Sequence, residues 1–260
     1  MALYFRLVAA SIRARMQYKL DFIITFVLYA LLTAVDFLFV ATVLYRYRYI
    51  MGWNVYEVAL LSGVASSAFG LYRTFGAELN SFERYLVNGD FDSLLIRPWP
   101  TLATLLSRSF DMGRLGGVGQ GIILITVGLN GVLDAGAPPW LAVYVYLLPI
   151  AGTGVIMALS LATATAGFWL TRIDELQVFA IGAPFTASTY PLDIFPKWLR
   201  WLFTGLLPVA TMGYIPLRYA LGKGGTVLAL ATPFAAAGLS LLVGLHLWRW
   251  GERHYQSTGN

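Results

Sequence analysis

Residues 83–100 read ERYLVNGDFDSLLIRPWP, and they carry Asp90, Asp92 and Arg97 within eight positions of a chain that is otherwise mostly apolar and small. A polar knot of this kind cannot sit in hydrocarbon, where each ionised or unpaired group costs several kcal/mol, so it belongs at a membrane surface. Glycine in Asn88-Gly89 can end an incoming helix with φ > 0, and Asp90 can cap the free N–H groups of the next. Arg97-Pro98 then closes that helix, because the residue before proline is driven out of the helical region. The spacing predicts a short helix over residues 91–96. Its Phe91, Leu94 and Leu95 fall at i, i+3 and i+4, hence on one face, with charged ends left free. A surface loop with ordinary capping is the alternative reading of the same residues.

Working outward, the chain is 58% hydrophobic and only 12% charged over 260 residues, with a mean hydropathy of +0.68. Soluble domains carry roughly 25% charged residues. The composition is that of an integral membrane protein. Successive apolar runs reach the roughly 20 residues that cross a bilayer as helix, and the alternation of a membrane β-barrel is missing, so the fold class is all-α and polytopic. The +5 net charge does not point to nucleic acid, because the basic residues stand singly beside the spans and no basic patch forms. With no cysteine there is no disulfide, thiol nucleophile or thiolate metal site.

The whole of residues 1–260 reads as one transmembrane domain. Residues 1–20 pattern as an amphipathic helix on the membrane surface, with Phe5, Val8, Ile12 and Met16 on one side and Arg6 and Arg13 on the other. Spans follow at residues 22–45, with Asp36 near the middle, and at 56–75, where Ser62, Ser66 and Gly70 make a small-residue ridge. A polar loop over residues 76–109 contains the opening stretch. The next span, 112–133, begins with Gly113, Gly116, Gly117, Gly119 and Gly121, a pattern suited to close helix packing; as a nucleotide fingerprint it lacks the preceding strand and the following acid. Residues 140–170 form a long span holding Pro149. A fifth run from Asp174 to about Tyr190 is interrupted by Pro184 and barely long enough to cross. Residues 191–225, with Pro191, Pro196, Pro208 and Pro216, are too broken for a span and too apolar for a water-exposed loop, which suits short helices dipping into the outer leaflet. A sixth span occupies 226–248.

Six spans put Arg46, Arg48, Lys197, Arg200, Arg218 and Lys223 on one side and the other twelve of the 18 basic residues on the opposite side. The positive-inside bias therefore makes both termini and the loop cytoplasmic.

In this order the parts resemble the membrane subunit of a type-2 ABC exporter, of the six-span kind without a fused ATPase. The matching residues are Gly89, Asp90, Asp92, Leu94, Leu95, Arg97 and Pro98 in the loop, and Phe168-Trp169. They continue with Tyr190-Pro191-Leu192, then Ile194-Phe195-Pro196, and Trp248…Gly251…Tyr255 near the end. The resemblance implies that the loop, Phe91 included, is a coupling helix docking on a separate ATPase. It implies that the region of Tyr190, Pro191, Phe195 and Pro196 is an outer re-entrant cap, and that a second copy or a related permease completes the pathway. ATP and Mg would then be bound by the partner ATPase, and no cofactor by this chain. Independently of resemblance, no G-x-x-x-x-G-K-[ST] is present, so an ATP-driven cycle needs another chain.

Two rival classes remain from sequence. A proton-coupled secondary transporter would use Asp36 as its carrier, yet there is one deep acid and no internal repeat between the halves. An intramembrane enzyme would want Gly-x-Ser-x-Gly, a Ser–His pair or His-Glu-x-x-His. His246 has no evident partner, so an enzymatic role is not expected.

Overall fold

The computed structural model describes residues 19–108, 112–170 and 172–256. The surface helix expected over residues 1–20 lies outside the described residues, except Lys19 and Leu20, which already belong to the first long helix. Among the described residues the chain is helical, and its one β-type feature is an isolated bridge between Ile50 and Trp53. Among the described residues three helices are long and apolar enough to cross a membrane, over Val55–Phe75, Met112–Asp134 and Leu141–Leu170.

Helix α1 runs Lys19–Tyr47. Asp36 lies within it; the expectation for its side chain falls outside the described residues. A tight turn at Met51 and Gly52 then leads to α2, Val55–Phe75. Its start is fixed by a reciprocal cap: Asn54 Oδ1 accepts from the Tyr56 and Glu57 amides (2.9 and 3.0 Å), and Glu57 Oε2 accepts from the Asn54 amide (2.8 Å). Helix α2 is the buried axis of the molecule, with its membrane window 83% buried.

Its neighbours approach because glycine lets them. In the loop that follows α2 come α3 (Phe82–Val87), α4 (Asp92–Leu95) and α5 (Thr101–Arg108), and then α6, Leu115–Asp134. A Cβ at Gly63 of α2 would lie 2.7 Å from the Gly121 carbonyl oxygen of α6, and one at Gly128 would lie 2.6 Å from the Tyr56 oxygen. The glycine run thus serves backbone-to-backbone packing. The contact ridge on α2 is Gly63, Ser67 and Gly70, whereas Ser62 of the expected ridge turns away and donates to the Thr189 carbonyl (2.9 Å). Helix α7, Leu141–Leu170, packs on another side of α2, where Thr153 Oγ1 donates to the Ala68 carbonyl (3.1 Å).

The fifth run is one interrupted helix: α8 (Asp174–Gln177), a π-helical turn (Val178–Gly182) and α9 (Ala183–Ser188). Residues 191–225 are broken as anticipated, with α10 (Lys197–Trp201) beginning after Pro196 and α11 (Tyr214–Ala220) carrying Pro216 inside. Helix α12, Thr232–His254, packs on α7 through Gly154 and Gly244 and extends six residues beyond the expected end at Trp248, bringing Gly251 and Glu252 into helical register. Two apolar cores result. One surrounds α2 through the membrane region, and a second lies under the loop, between α3, α4, α5, α7 and α12.

Candidate functional site

The loop is a folded unit. After α2 the chain turns at Gly76, whose Cβ position is filled by Met157 (Sδ 2.9 Å) and Tyr72, and enters a 3-10 turn, Ala77–Ser81. Glu78 accepts from the Tyr85 hydroxyl and pairs with Arg84 (3.3 Å). Burial and Glu78 push the Tyr85 phenol above its ordinary value. Helix α3 ends at Asn88, and Gly89 follows with φ 72°, the left-handed conformation that lets the Phe91 amide donate back to the Tyr85 carbonyl (3.1 Å).

The next turn departs from expectation in three ways. Helix α4 covers Asp92–Leu95, shorter than residues 91–96, because the Arg97 amide closes on Leu94 (3.3 Å) and tightens the last turn. Asp90 does not cap it. The glycine turn holds Asp90 one residue too early, so Phe91 occupies the cap position and Ser93 Oγ donates to the Asp90 carbonyl (2.7 Å), leaving the Asp90 side chain exposed. The apolar face is also divided. Phe91 is 0% exposed and Leu94 is buried, both against this chain, whereas Leu95 (41%), Ile96 (85%) and Trp99 (50%) stand outward with Arg97, Pro98 and Pro100.

What Phe91 enters is an aromatic socket. Its ring lies 5.4 Å from Phe82, 5.3 Å from Phe168, 6.3 Å from Trp248 and 4.8 Å from Tyr255, all edge-on. Gly251 permits this closure, since a Cβ there would strike the Phe168 ring at 2.4 Å. Asp92 is half-buried beside the Tyr255 hydroxyl, which burial and that carboxylate push up to about 12. Asp92 therefore faces its own chain. Two further ties hold the unit: Thr101 Oγ1 donates to Glu252 of α12 (2.9 Å), and Glu83 caps α8 by accepting the amides of Ile173 (2.5 Å) and Asp174 (2.8 Å).

The sequence had offered Phe168, Trp248, Gly251 and Tyr255 only as scattered matches; the structure brings them together around Phe91. At the opposite end of the molecule, Pro191 is buried and Tyr190 and Phe195 are half-buried against the α2 core, while Pro196 is exposed at the start of α10. The residue that organises this end is Asp193, which sequence reading passed over. It accepts from Trp53 Nε1 (2.9 Å) and the Tyr214 hydroxyl (2.8 Å) and pairs with Arg200 (3.7 Å). Lys223 pairs with Glu57 (3.1 Å) beside the same indole. The available signal was an acid set between apolar Leu192 and Ile194.

A loop locked from behind, with an apolar rim outward, between membrane-length helices packed through glycine, agrees with the comparison to families: the family described as ABC-2 family transporter protein matches residues 30–259. The chain belongs to the ABC-2 transporter family. Comparison with curated proteins returns no match. As a member of the ABC-2 family the chain is an ABC transporter permease, a membrane component in transport and not itself a catalyst. ABC-2 permeases work with ATPase subunits, and the absence of a phosphate-binding loop in this sequence accords with that division of labour.

Proposed function

We propose that this permease is part of an ATP-driven exporter in the plasma membrane, docking on a separate ABC ATPase through the rim at Leu95, Ile96, Arg97, Pro98 and Trp99. The observation that carries the reading is the split of the loop: Phe91 and Leu94 are occupied internally, while Ile96 is 85% exposed on a segment whose inner side packs in the aromatic socket. An exposed isoleucine and tryptophan on a fixed, water-facing support suit the anchors of a protein interface. With α1, the fifth run and α12 counted beside the three apolar helices there are six spans, and the positive-inside bias then favours a cytoplasmic loop and termini, where the ATPase would hold ATP and Mg. A second copy or a related permease completes the pathway, and residues 191–225 cap its outer end. Asp90 and Arg97, at the two ends of the turn, set its orientation on the partner; Gly89 shapes it.

The test is ATPase capture by the purified permease. Truncating an interface anchor commonly costs about 2 kcal/mol or more, roughly thirtyfold in affinity. Ile96→Ala and Trp99→Ala should each insert normally and weaken capture by that order. Undiminished capture by the double variant would remove the docking role from this loop.

A further inference from the structure

Asp193, in the 3-10 turn Leu192–Ile194, is held by groups from two other connections. Its Oδ2 accepts from Trp53 Nε1 (2.9 Å), in the turn before α2, and its Oδ1 from the Tyr214 hydroxyl (2.8 Å), at the start of α11. A third donor stands beside them and is not engaged. Arg200, on α10, brings Nη1 to 3.7 Å from Oδ1, an ion pair too long for a hydrogen bond, and its Nε is buried without an acceptor. The neighbouring cations are committed elsewhere: Lys223 pairs with Glu57 (3.1 Å) and donates to the Gly52 carbonyl (2.6 Å), and Arg218 donates to the Lys223 carbonyl (3.3 Å). Arg200 is thus a guanidinium set against a carboxylate whose oxygens already have closer donors.

Asp193 and Arg200 lie on one segment, residues 191–201, whereas Trp53 and Tyr214 lie outside it. Parting that segment from its neighbours strips a half-buried carboxylate of its donors, a heavy polar cost. A turn of the Arg200 guanidinium onto Asp193 meets that cost from within the segment and pairs the buried Nε as well. We infer that Asp193 is a positioning residue that exchanges partners: closed, it is pinned by Trp53 and Tyr214; released, it pairs with Arg200, and residues 191–201 part from the turn before α2 and from α11. Leu192 (1% exposed) and Phe203 (4%) keep the closed form dominant. As a gating motion this rests on the reading of residues 191–225 as the outer cap; as a partner exchange it rests on the contacts alone. A group shifts an equilibrium only by the difference in its interactions between the two states, so the donors act with opposite signs. Loss of the Trp53 or Tyr214 donor favours release, and loss of Arg200 favours closure. In a merely structural staple every one of these losses loosens the segment.

The experiment uses the full chain, which has no cysteine, in a neutral maltoside detergent, with spin labels at the exposed positions of Tyr49→Cys and Lys197→Cys. Pulsed electron spin resonance reads the distance between the turn and the segment, and it needs neither ATPase nor cargo. Tyr214→Phe, which removes only the hydroxyl, and Trp53→Phe should each raise the ratio of released to closed by about tenfold or more, as expected for a lost hydrogen bond to a charged acceptor. Arg200→Gln added to Tyr214→Phe should return the ratio toward that of the parent, and Arg200→Lys should return it less. A single short distance in the Trp53→Phe, Tyr214→Phe double variant would overturn the exchange, as would a further rise in the released fraction on adding Arg200→Gln. Sidedness is read separately, by a membrane-impermeant maleimide on intact cells carrying Lys197→Cys. Labelling from outside supports the gating role, and labelling only after lysis would overturn that role without altering the distances.

Discussion

Phe91→Ala tests whether the loop is rigid because of its socket. The ring is wholly buried and edge-packed on Phe82, Phe168, Trp248 and Tyr255. Truncating a buried phenylalanine costs about 3–5 kcal/mol, the lost ring contacts included. Helix α4 is a single turn with no side-chain cap, so it has no local reserve to absorb that loss, whereas the membrane core around α2 is a separate cluster. The damage should therefore stay local: residues 82–95 open while the spans hold. At about 1.4 kcal/mol per decade, 3 kcal/mol raises the open population about a hundredfold or more. Amide hydrogen exchange reads this directly, with protected amides in 82–95 exchanging faster by that factor and those of α2 and α6 unchanged. Ile96→Ala, at an exposed site, should shift the same amides by less than about 0.5 kcal/mol. If the rim docks on an ATPase, both variants should lose capture, but only Phe91→Ala should loosen the loop. Unchanged exchange in Phe91→Ala together with lost capture would refute the socket and make Phe91 a direct contact.

Three further outcomes follow from particular contacts. Gly121→Val places a Cβ 2.3 Å from Ser67 Oγ and 2.7 Å from the Gly63 carbonyl, so α2 and α6 must part; overpacking costs about 1–3 kcal/mol or more, read as a lowered melting temperature in detergent. Tyr255 ionises at about 12 in the folded loop against an ordinary 10.0, so the fold holds its proton more firmly than the unfolded chain does. Loop stability should then decline as pH rises from about 10 to about 12, as nicking by an alkaline-active protease would show, and Tyr255→Phe should reduce that decline, leaving the part that the likewise raised Tyr85 phenol contributes. Asp36→Asn should leave insertion and ATPase capture intact and abolish transport if the acid faces the pathway; unchanged transport assigns it to helix packing alone.

Much of the fold was legible because lipid leaves a chain few choices. Apolar length gave the long helices, glycine in 116–121 gave close packing, and proline gave the breaks after Tyr190. The loop was legible as a turn at Gly89 and a helix after it, but its inside and outside were not. Periodicity groups Phe91, Leu94 and Leu95 on one face without saying which of them faces the chain. That depended on Phe168, Trp248 and Tyr255, residues remote in sequence whose convergence no local pattern encodes. Asp193 escaped for the same reason, since its partners Trp53 and Tyr214 lie in two different connections.

The aromatic socket also imposes an order on assembly. Phe91 leaves the ribosome early, but three of its four walls come from Phe168, Trp248 and Tyr255, on segments synthesised later. Until α12 is inserted, α4 lacks the Trp248 and Tyr255 walls of its socket, and the rim at Ile96 is only half braced. If that rim is what the ATPase grips, a nascent or truncated permease cannot recruit its motor. The same rings that brace the loop then serve as a completion check, licensing energy consumption only on a finished membrane domain.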